Sequence, residues 1–272
     1  MISKILDIFR KKQPYTPHLL VDKPINGRRL VIPDIHGCYQ TFEKLLNRVQ
    51  LTKADQLFLL GDFISRGKSS AKVLDMIIQL QDEKFQVFAL RGNHEQMILD
   101  CAKERAHELS WFAEKFKLQD LLTRNNKLKT KYHKMMNSLY YVIELDEFFL
   151  VHAGFNITKE FPLKDFDSML WIEEPKYDSK KLNNKRVIRG HKTQPLFKIE
   201  NQIAKNEKII SLDNGCVYLN QKPRRGHLLC LDIDSNELIK EKKIRKRLAT
   251  TLKSAIVACF IFTFQLALLT CC

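Results

Sequence analysis

The sequence has no CxxC pair, and its seven cysteines follow no regular spacing. Zinc ribbons and dithiol redox motifs need a CxxC pair, and small disulfide-stapled domains need regularly spaced cysteines. Both classes are therefore excluded. An odd number of unpatterned cysteines is typical of a protein kept in the reducing cytoplasm. Residues 1–12 interrupt a short apolar run with Lys4 and Asp7, which predicts a small amphipathic helix and not a secretory signal.

Acidic residues are in the minority. The chain has 31 Asp and Glu against 46 Lys and Arg, which gives a formal net charge of +15. This balance favours anionic partners such as phosphate esters, nucleic acid or anionic lipid. The sequence has no basic stripe interleaved with aromatic residues and no zinc-finger spacing, so nucleic acid is not an expected partner.

Charged residues are missing from one long stretch, residues 254–272. A helix of this length, at ~1.5 Å rise per residue, nearly spans the ~30 Å hydrocarbon core of a bilayer. Residues 240–253 before it carry seven basic residues and one acidic residue, and positive charge is retained on the cytoplasmic side of membranes. The pattern predicts a tail anchor that holds a cytoplasmic body at the membrane face. A helix docked on the body is the alternative.

The chain shows no internal repeat and no low-complexity tract, and its composition fits a globular body with a buried core. Short apolar strands alternate with amphipathic helices in its first third, which indicates an α/β fold. The predicted strands are residues 29–32, 56–60, 86–90, 141–145, 148–151, 186–188, 208–211, 216–219 and 227–232. The predicted helices are residues 40–49 and 71–80, with a helical block at 95–139.

Polar side chains typical of metal sites follow five of these strands. They are Asp34, His36, Asp62, Asn93, His94, His152 and His191. Strand ends are where sites assemble in α/β sheets, and five such positions in succession outweigh the ordinary interpretation of each as a turn or surface residue. Two divalent cations need a shared carboxylate, further oxygen and imidazole ligands, and open positions for water and substrate. The set suits such a centre.

The same residues lie in an ordered series of motifs. Residues 34–37 read DIHG, 61–67 read GDFISRG, 92–95 read GNHE, 151–154 read VHAG and 189–191 read RGH. This series resembles that of the phosphoprotein phosphatases, in the calcineurin-like metallophosphoesterase superfamily. The stretches MLWI at 169–172 and LDNGC at 212–216 resemble bacterial serine/threonine protein phosphatases. The resemblance covers about residues 29–240 and implies two mixed β-sheets packed as a sandwich, flanked by helices, with two metals at one edge.

The resemblance implies boundaries and cofactors. We expect an N-terminal segment at residues 1–28, a metallophosphoesterase domain at 29–240, a basic linker at 241–253 and the apolar segment at 254–272. The implied cofactors are two divalent metal ions, with manganese, iron and zinc as candidates. The implied ligands are Asp34 and His36 on the first metal, Asp62 bridging both, and Asn93, His152 and His191 on the second.

The resemblance also implies a mechanism. A hydroxide bridging the metals would attack phosphorus in line, Arg66 and Asn93 would bind the phosphate, and His94 would protonate the leaving alkoxide. Asp213 would support the site from behind. Ser65 and Glu173 depart from the family pattern, which has an aspartate that orients the histidine and an arginine that binds phosphate.

Three functions remain open at this stage. The leading expectation is hydrolysis of phosphoserine or phosphothreonine in proteins. The enzymatic alternative is hydrolysis of dinucleoside polyphosphates, because related folds with the same motifs do that. The third is a membrane-tethered protein that binds metal and phosphate but turns over weakly, which Ser65, Glu173 and the apolar segment suggest.

Overall fold

The computed structural model describes residues 17–244. Its strands are β1 (His18–Leu20), β2 (Arg29–Ile32), β3 (Gln56–Leu59), β4 (Gln86–Ala89), β5 (Val142–Glu144), β6 (Phe148–Val151), β7 (Arg186–Arg189), β8 (Ile209–Ser211), β9 (His227–Asp232) and β10 (Glu237–Lys242). Its α-helices are α1 (Tyr39–Val49), α2 (Ser70–Asp82), α3 (Asn93–Glu104), α4 (Leu109–Phe116), α5 (Thr130–Asn137), α6 (Phe166–Trp171) and α7 (Leu196–Ala204). The alternation of strands and helices expected for residues 29–90 is confirmed.

The strands form two five-stranded mixed sheets. The first has the order β10-β9-β2-β3-β4, in which β2, β3 and β4 are parallel and β9 is antiparallel to both β2 and β10. The second has the order β1-β5-β6-β7-β8, and only its β5-β6 hairpin is antiparallel. The predicted fold class, α/β with two mixed sheets, is confirmed.

Each buried strand contributes to two apolar layers, because successive side chains point to opposite faces of a sheet. Val31 and Phe58 of the first sheet pack with Leu150 and Ile188 of the second, and together they form the layer between the sheets. On the other face of the first sheet, Leu30 and its neighbours pack against helices α1 to α5. A third cluster covers the outer face of the second sheet with α6. The result is the predicted sandwich flanked by helices.

Two of the predicted elements differ in the structure, and the strands β1 and β10 and the helices α6 and α7 were not predicted. The predicted strand at residues 216–219 is a short 3-10 helix, Cys216–Tyr218, because the chain turns sharply after β8 at Gly215, whose φ is 65°. The predicted helical block at residues 95–139 is divided into α3, α4 and α5. An isolated antiparallel bridge between Leu122 and Leu128 interrupts it, and helical periodicity does not reveal such a turn.

The ends of the described region lie close to the expected domain boundaries. Strand β1 belongs to the second sheet although it falls in the expected N-terminal segment. Strand β10 continues to Lys242, two residues past the expected end of the domain at residue 240, and Glu241 within it pairs with Lys44 and Arg48 of α1. The boundaries at residues 28 and 240 stay predictions.

The expected tail anchor at residues 254–272 lies outside the described residues. Among residues 17–244 no helix combines the length and apolar character needed to cross a bilayer. The anchor therefore stays a prediction from sequence.

Deletion of residues 249–272 tests the anchor. We expect the full chain to sediment with membranes and to resist salt extraction, because burial of an uncharged apolar helix does not depend on ionic strength. The shortened chain should stay in the supernatant and keep its hydrolytic activity. A full-length protein that is monodisperse without detergent would refute the anchor.

Candidate active site

Five loops at the carboxyl ends of strands meet at one edge of the two sheets. They follow β2, β3, β4, β6 and β7 and carry Asp34, His36, Asp62, Asn93, His94, His152 and His191. All but His191 are buried, and His191 is partly exposed. The polar residues singled out from the sequence are thus brought together.

The backbone at this edge adopts conformations that non-glycine residues rarely use. The φ angles are 47° at His36, 51° at Asp62, 76° at Ser65, 64° at Arg66 and 65° at His191. Positive φ is uncommon for such residues, and clusters of it are typical of functional sites. These turns let each loop reverse directly after its strand and direct its side chain toward the shared centre.

Two glycines allow the loops to approach closely. A Cβ atom at Gly92 would lie 2.2 Å from Oδ1 of Asp62, and one at Gly190 would lie 2.1 Å from Oδ1 of Asp34. Both distances are far below van der Waals contact, so any larger residue would displace an aspartate. The glycines of the GNHE and RGH motifs are therefore needed for the position of the carboxylates.

Asp62 lies at the centre of the cluster. Its Oδ2 is 3.6 Å from Nε2 of His36, and its Oδ1 is 3.6 Å from Nε2 of His152. Asp34 is beside it. The Oδ1 of Asp34 accepts a hydrogen bond from the backbone N–H of His191 at 2.9 Å, and among residues 17–244 its buried Oδ2 finds no hydrogen-bond partner. Nε2 of His36 lies 3.8 Å from that unpaired oxygen.

The tautomers of two histidines follow from their contacts. Nδ1 of His36 lies 3.0 Å from the carbonyl oxygen of Ile64, and Nδ1 of His152 lies 2.8 Å from that of Leu60. A carbonyl oxygen only accepts, so each Nδ1 carries the hydrogen and each Nε2 presents a lone pair to the centre. Metal-bound histidines commonly donate their other N–H in this way. The arrangement fits a cation site.

Asn93 joins the cluster from the first turn of α3. Its Oδ1 lies 3.0 Å from Nε2 of His152 and 3.2 Å from Nδ1 of His191, and these two nitrogens are 3.2 Å apart. Since Nε2 of His152 has no hydrogen, this nitrogen and Oδ1 of Asn93 face each other as two acceptors. A cation between them would satisfy both, which supports the expected ligand set on the second metal.

The ligating atoms form two overlapping groups, with the members of each group within 4.8 Å of one another. One contains His36, Asp62 and His94, and the other contains Asp34, Asp62 and His152. Asp62 belongs to both, as a bridging carboxylate must. The grouping differs from the expected one in two ways. It includes His94, which was expected to act as an acid and not as a ligand, and it places Asp34 with His152 and not with His36.

The electrostatics are those of a buried polar cluster. Burial raises the pKa of Asp34 and of Asp62 well above the usual range, and the negative charges of Asp213 and Glu95 respectively raise them further. Burial lowers the pKa of His36 and of His152 well below the usual range. Neutral imidazoles around buried carboxylates are what a cation site requires.

Arg66 and His94 form the side of the centre expected to face the substrate. Nη2 of Arg66 lies 3.1 Å from Nε2 of His94, and a guanidinium only donates, so this Nε2 accepts. Burial and, to a smaller extent, the charge of Arg66 together lower the pKa of His94 to about 3. The Arg66 guanidinium also lies 5.4 Å from the ring centroid of Tyr218, and its backbone N–H donates to Phe116.

Ser65 is fully buried, and its hydroxyl has no hydrogen-bond partner within residues 17–244. Its backbone is engaged: the N–H donates to the hydroxyl of Ser70 at 3.0 Å, and the carbonyl accepts the backbone N–H of Gly67 at 2.7 Å. The side chain that replaces the family's aspartate therefore makes no hydrogen bond to His94.

Glu173 does not direct its charge into the centre. Its exposed carboxylate lies 3.6 Å from Nζ of Lys192, while its backbone carbonyl accepts a hydrogen bond from Nη1 of Arg189 at 2.9 Å. Nη2 of the same arginine reaches the carbonyl of Ile172. Arg189 is buried near Asp34 and Asp213, so it ties the segment at residues 172–173 to the RGH loop.

Asp213, which was expected to support the site from behind, is buried. Its Oδ1 accepts the backbone N–H of Gly215 at 2.6 Å, and its buried Oδ2 has no hydrogen-bond partner within the described residues. Burial raises the pKa of Asp213 to about 6, although the charge of Arg66 opposes this. The carboxylate is near enough to Asp34 to raise its pKa.

Glu95 is a site residue to which sequence reasoning assigned no role. Its fully buried carboxylate accepts four backbone N–H groups, from Asp62 at 2.8 Å, Phe63 at 2.9 Å, Ile64 at 3.2 Å and Gly92 at 3.0 Å. The loop after β3, which carries Asp62, is thereby fixed to the start of α3. Its position three residues after Gly92 is that of a capping box, which was the available signal.

These features agree with a family comparison. The model of the calcineurin-like phosphoesterases matches residues 27–220, which is more than half of the chain, and the chain belongs to this family. The family uses two divalent metals, so the prediction of two divalent cofactors is confirmed, and the two ligand groups around Asp62 provide for them.

Several curated relatives have one name, symmetrical bis(5'-nucleosyl)-tetraphosphatase. The one from Delftia acidovorans is 32% identical over 126 residues, which cover 45% of this chain and 43% of the relative. The one from Vibrio parahaemolyticus is 30% identical over 143 residues, covering 46% and 43%. The one from Wigglesworthia glossinidia brevipalpis is 43% identical over 70 residues, covering 25% of each. The chain spans less than half the length of these relatives.

Solved structures share the fold. A candidate diadenosine tetraphosphatase has a TM-score of 0.61 at 21% identity, covering 84% of this chain and 99% of that one. A protein serine/threonine phosphatase from Saccharomyces cerevisiae has a TM-score of 0.57 at 17% identity, covering 91% and 89%. At these identities the likeness shows the fold alone.

Proposed function

We propose that this protein is a metal-dependent hydrolase of dinucleoside polyphosphates, which cleaves a phosphoric anhydride in the middle of the chain of phosphates. The alternative weighed at the sequence level thus replaces the protein phosphatase as the leading function. The names of the matching relatives support this substrate class over parts of the chain. The observation that carries the proposal is the environment of His94.

Leaving groups differ in how much they need an acid. A serine or threonine alkoxide is strongly basic, and its departure depends on a proton from a positioned side chain, an effect of about 10²–10⁴-fold. The terminal phosphate of a departing nucleotide has a pKa of only ~6, so the nucleotide leaves without a proton from a side chain. His94 has no carboxylate partner at position 65, and its Nε2 accepts from Arg66. This site suits the less basic leaving group.

The residues then divide the work. Asp34, His36, Asp62, Asn93, His152 and His191 hold the two divalent ions, which when bound supply Lewis-acid activation of water and of the phosphoryl oxygens. Arg66 binds the phosphate under attack through its planar guanidinium. His94 keeps that guanidinium in place by accepting its hydrogen bond. Glu95 holds the Asp62 loop.

A substrate panel tests the proposal. Catalytic efficiency toward diadenosine tetraphosphate should exceed that toward a phosphoserine peptide by about 100-fold or more, the range of a missing general acid. Chromatography of the products should show two molecules of ADP and no AMP or ATP. Faster hydrolysis of the peptide would instead support the protein phosphatase. Bound metal with no turnover of either substrate would support the weakly active binding protein.

Ser65→Asp tests the role of the missing carboxylate. An aspartate at this position should orient the His94 imidazole and favour its protonated form, so turnover of the phosphoserine peptide should rise about tenfold. Turnover of diadenosine tetraphosphate should not rise, because its leaving group needs no proton and a protonated His94 no longer accepts the hydrogen bond from Arg66. Ser65→Asn is the matched control, since asparagine has the shape of aspartate but carries no charge. Equal responses of both substrates would refute this role for position 65.

A further inference from the structure

A groove of about 790 Å³ lies beside the turn that follows the 3-10 helix Cys216–Tyr218. Phe197 at the start of α7 lines one side, and Lys222, Arg224 and Arg225 line the other. This volume is in the range of pockets that hold small ligands of nucleotide size. The mechanism described above uses none of these four residues.

The groove combines an exposed ring with positive charge. Phe197 is 49% exposed, and the Arg224 guanidinium lies 5.4 Å from its ring centroid. Lys242 adds a further cation to the lining. The acidic lining residue, Glu200, is paired with Lys240 at 2.8 Å, which leaves the lining positive. Flat faces for stacking beside cations are the features that bind a nucleobase and its phosphates.

The cationic turn is held by a buried side chain. Nδ2 of Asn214, which is fully buried, donates to the carbonyls of Arg224 at 3.1 Å and Gln194 at 2.9 Å. Its Oδ1 accepts the backbone N–H of His227 at 3.0 Å. Nη2 of Arg225 donates to the carbonyl of Thr193 at 3.1 Å. The groove is therefore formed by a fixed turn and is not a chance arrangement of surface side chains.

The groove and the metal centre share one neighbour, the ring of Tyr218. Nζ of Lys222, which lines the groove, is 4.4 Å from the ring centroid, and the guanidinium of Arg66 is 5.4 Å from it. Arg66, Lys222 and Arg225 all act on the carboxylate of Asp213. A row of cations thus leads from the phosphate-binding side of the centre into the groove.

We propose that this groove binds one nucleotide end of the dinucleoside polyphosphate, which rests on the proposed function. The base stacks on Phe197 and Arg224, and the phosphates pass along Lys222 and Arg225 toward Arg66. A phosphoserine peptide has neither the base nor the extended polyphosphate, so the groove adds selectivity for nucleotides to a centre that would otherwise hydrolyse many phosphate compounds.

Two substitutions test the groove: Phe197→Ala, which removes the stacking face, and Arg224→Gln, which removes the charge. Each should raise the KM for diadenosine tetraphosphate about tenfold, the effect of losing one stacked base, with little change in kcat. Hydrolysis of p-nitrophenyl phosphate, which reaches only the metal centre, should be unaffected. Lys53→Gln is the matched control, because Lys53 also lies over an aromatic ring, that of Phe85. Lys53 precedes β3 in the chain and therefore lies at the opposite edge of the sheet from the groove.

Binding of ADP to the chelator-treated protein separates this proposal from the proposed function. Calorimetry should show ADP binding that weakens about tenfold in Phe197→Ala and Arg224→Gln but not in Lys53→Gln. If the wild type binds ADP in this way but does not cleave diadenosine tetraphosphate, the proposed function fails and the groove stands. Cleavage with unchanged KM and ADP affinity in both variants would overturn the groove. An equal loss of activity toward diadenosine tetraphosphate and p-nitrophenyl phosphate would also overturn the groove proposal, since the variants would then have damaged the metal centre.

Discussion

Asp62→Asn is expected to lower both divalent-metal affinity and hydrolysis by more than about 100-fold. Loss of a group that only supports a metal ligand lowers metal affinity or activity by about 10–100-fold. Loss of a carboxylate that would bind both metals should lower them more. Asp62 belongs to both groups of ligating atoms and lies 3.6 Å from both His36 and His152. An asparagine keeps the shape but removes the charge and one of the two oxygens that bridging requires.

The effect should be measured as metal content and as rate. Mass spectrometry of the purified wild type should find two divalent ions per chain and identify them among manganese, iron and zinc, whereas Asp62→Asn should retain fewer. The matched control is Asp75→Asn, since Asp75 is an exposed carboxylate on α2 that pairs with Lys131. It should keep metal and activity. Hydrolysis that survives a chelator, or full metal content in Asp62→Asn, would contradict a two-metal centre.

The strands and the positions of the metal-type residues were predictable because both depend on local patterns. Short apolar runs such as residues 29–32 and 56–60 are typical of buried strands, and polar residues directly after them fall at one edge of a parallel sheet. The motif order then predicted the family. None of this required knowledge of how the loops pack against one another.

Contacts between distant loops were not predictable in the same way. Arg189 was seen only as part of the RGH motif, but its guanidinium holds the carbonyls of Ile172 and Glu173. Glu173 stands where the family pattern has an arginine that binds phosphate, and its carboxylate turns outward to Lys192. Such pairings depend on where two loops meet in space, and sequence spacing gives no direct measure of that. The 3-10 helix at Cys216–Tyr218 escaped prediction because Gly215 adopts a left-handed turn.

Glu95 shows the same limit within a motif that was recognised. The GNHE sequence indicated a residue at the start of α3, but not that its carboxylate lies under the loop that carries Asp62.

We expect Glu95→Gln to lower the free energy of unfolding by about 2–4 kcal/mol. The glutamate oxygens accept four backbone N–H groups, and the amide of glutamine would place its own N–H donors against some of them. Buried donors left without an acceptor cost about 1–3 kcal/mol each, partly relieved by local movement.

The measurement is urea unfolding in the presence of a chelator, so that lost metal binding does not contribute to the difference. Glu108→Gln is the matched control, because Glu108 is a surface carboxylate paired with Arg105, and its free energy of unfolding should stay within about 0.5 kcal/mol of the wild type. Hydrolysis by Glu95→Gln should also fall by about tenfold or more even where the protein is fully folded. The reason is that the loop of Asp62 loses the anchor that sets its left-handed turn. A Glu95→Gln protein as stable and as active as the wild type would show that the four hydrogen bonds are replaceable, and that the position of Asp62 is set by Gly92 and the β3 strand alone.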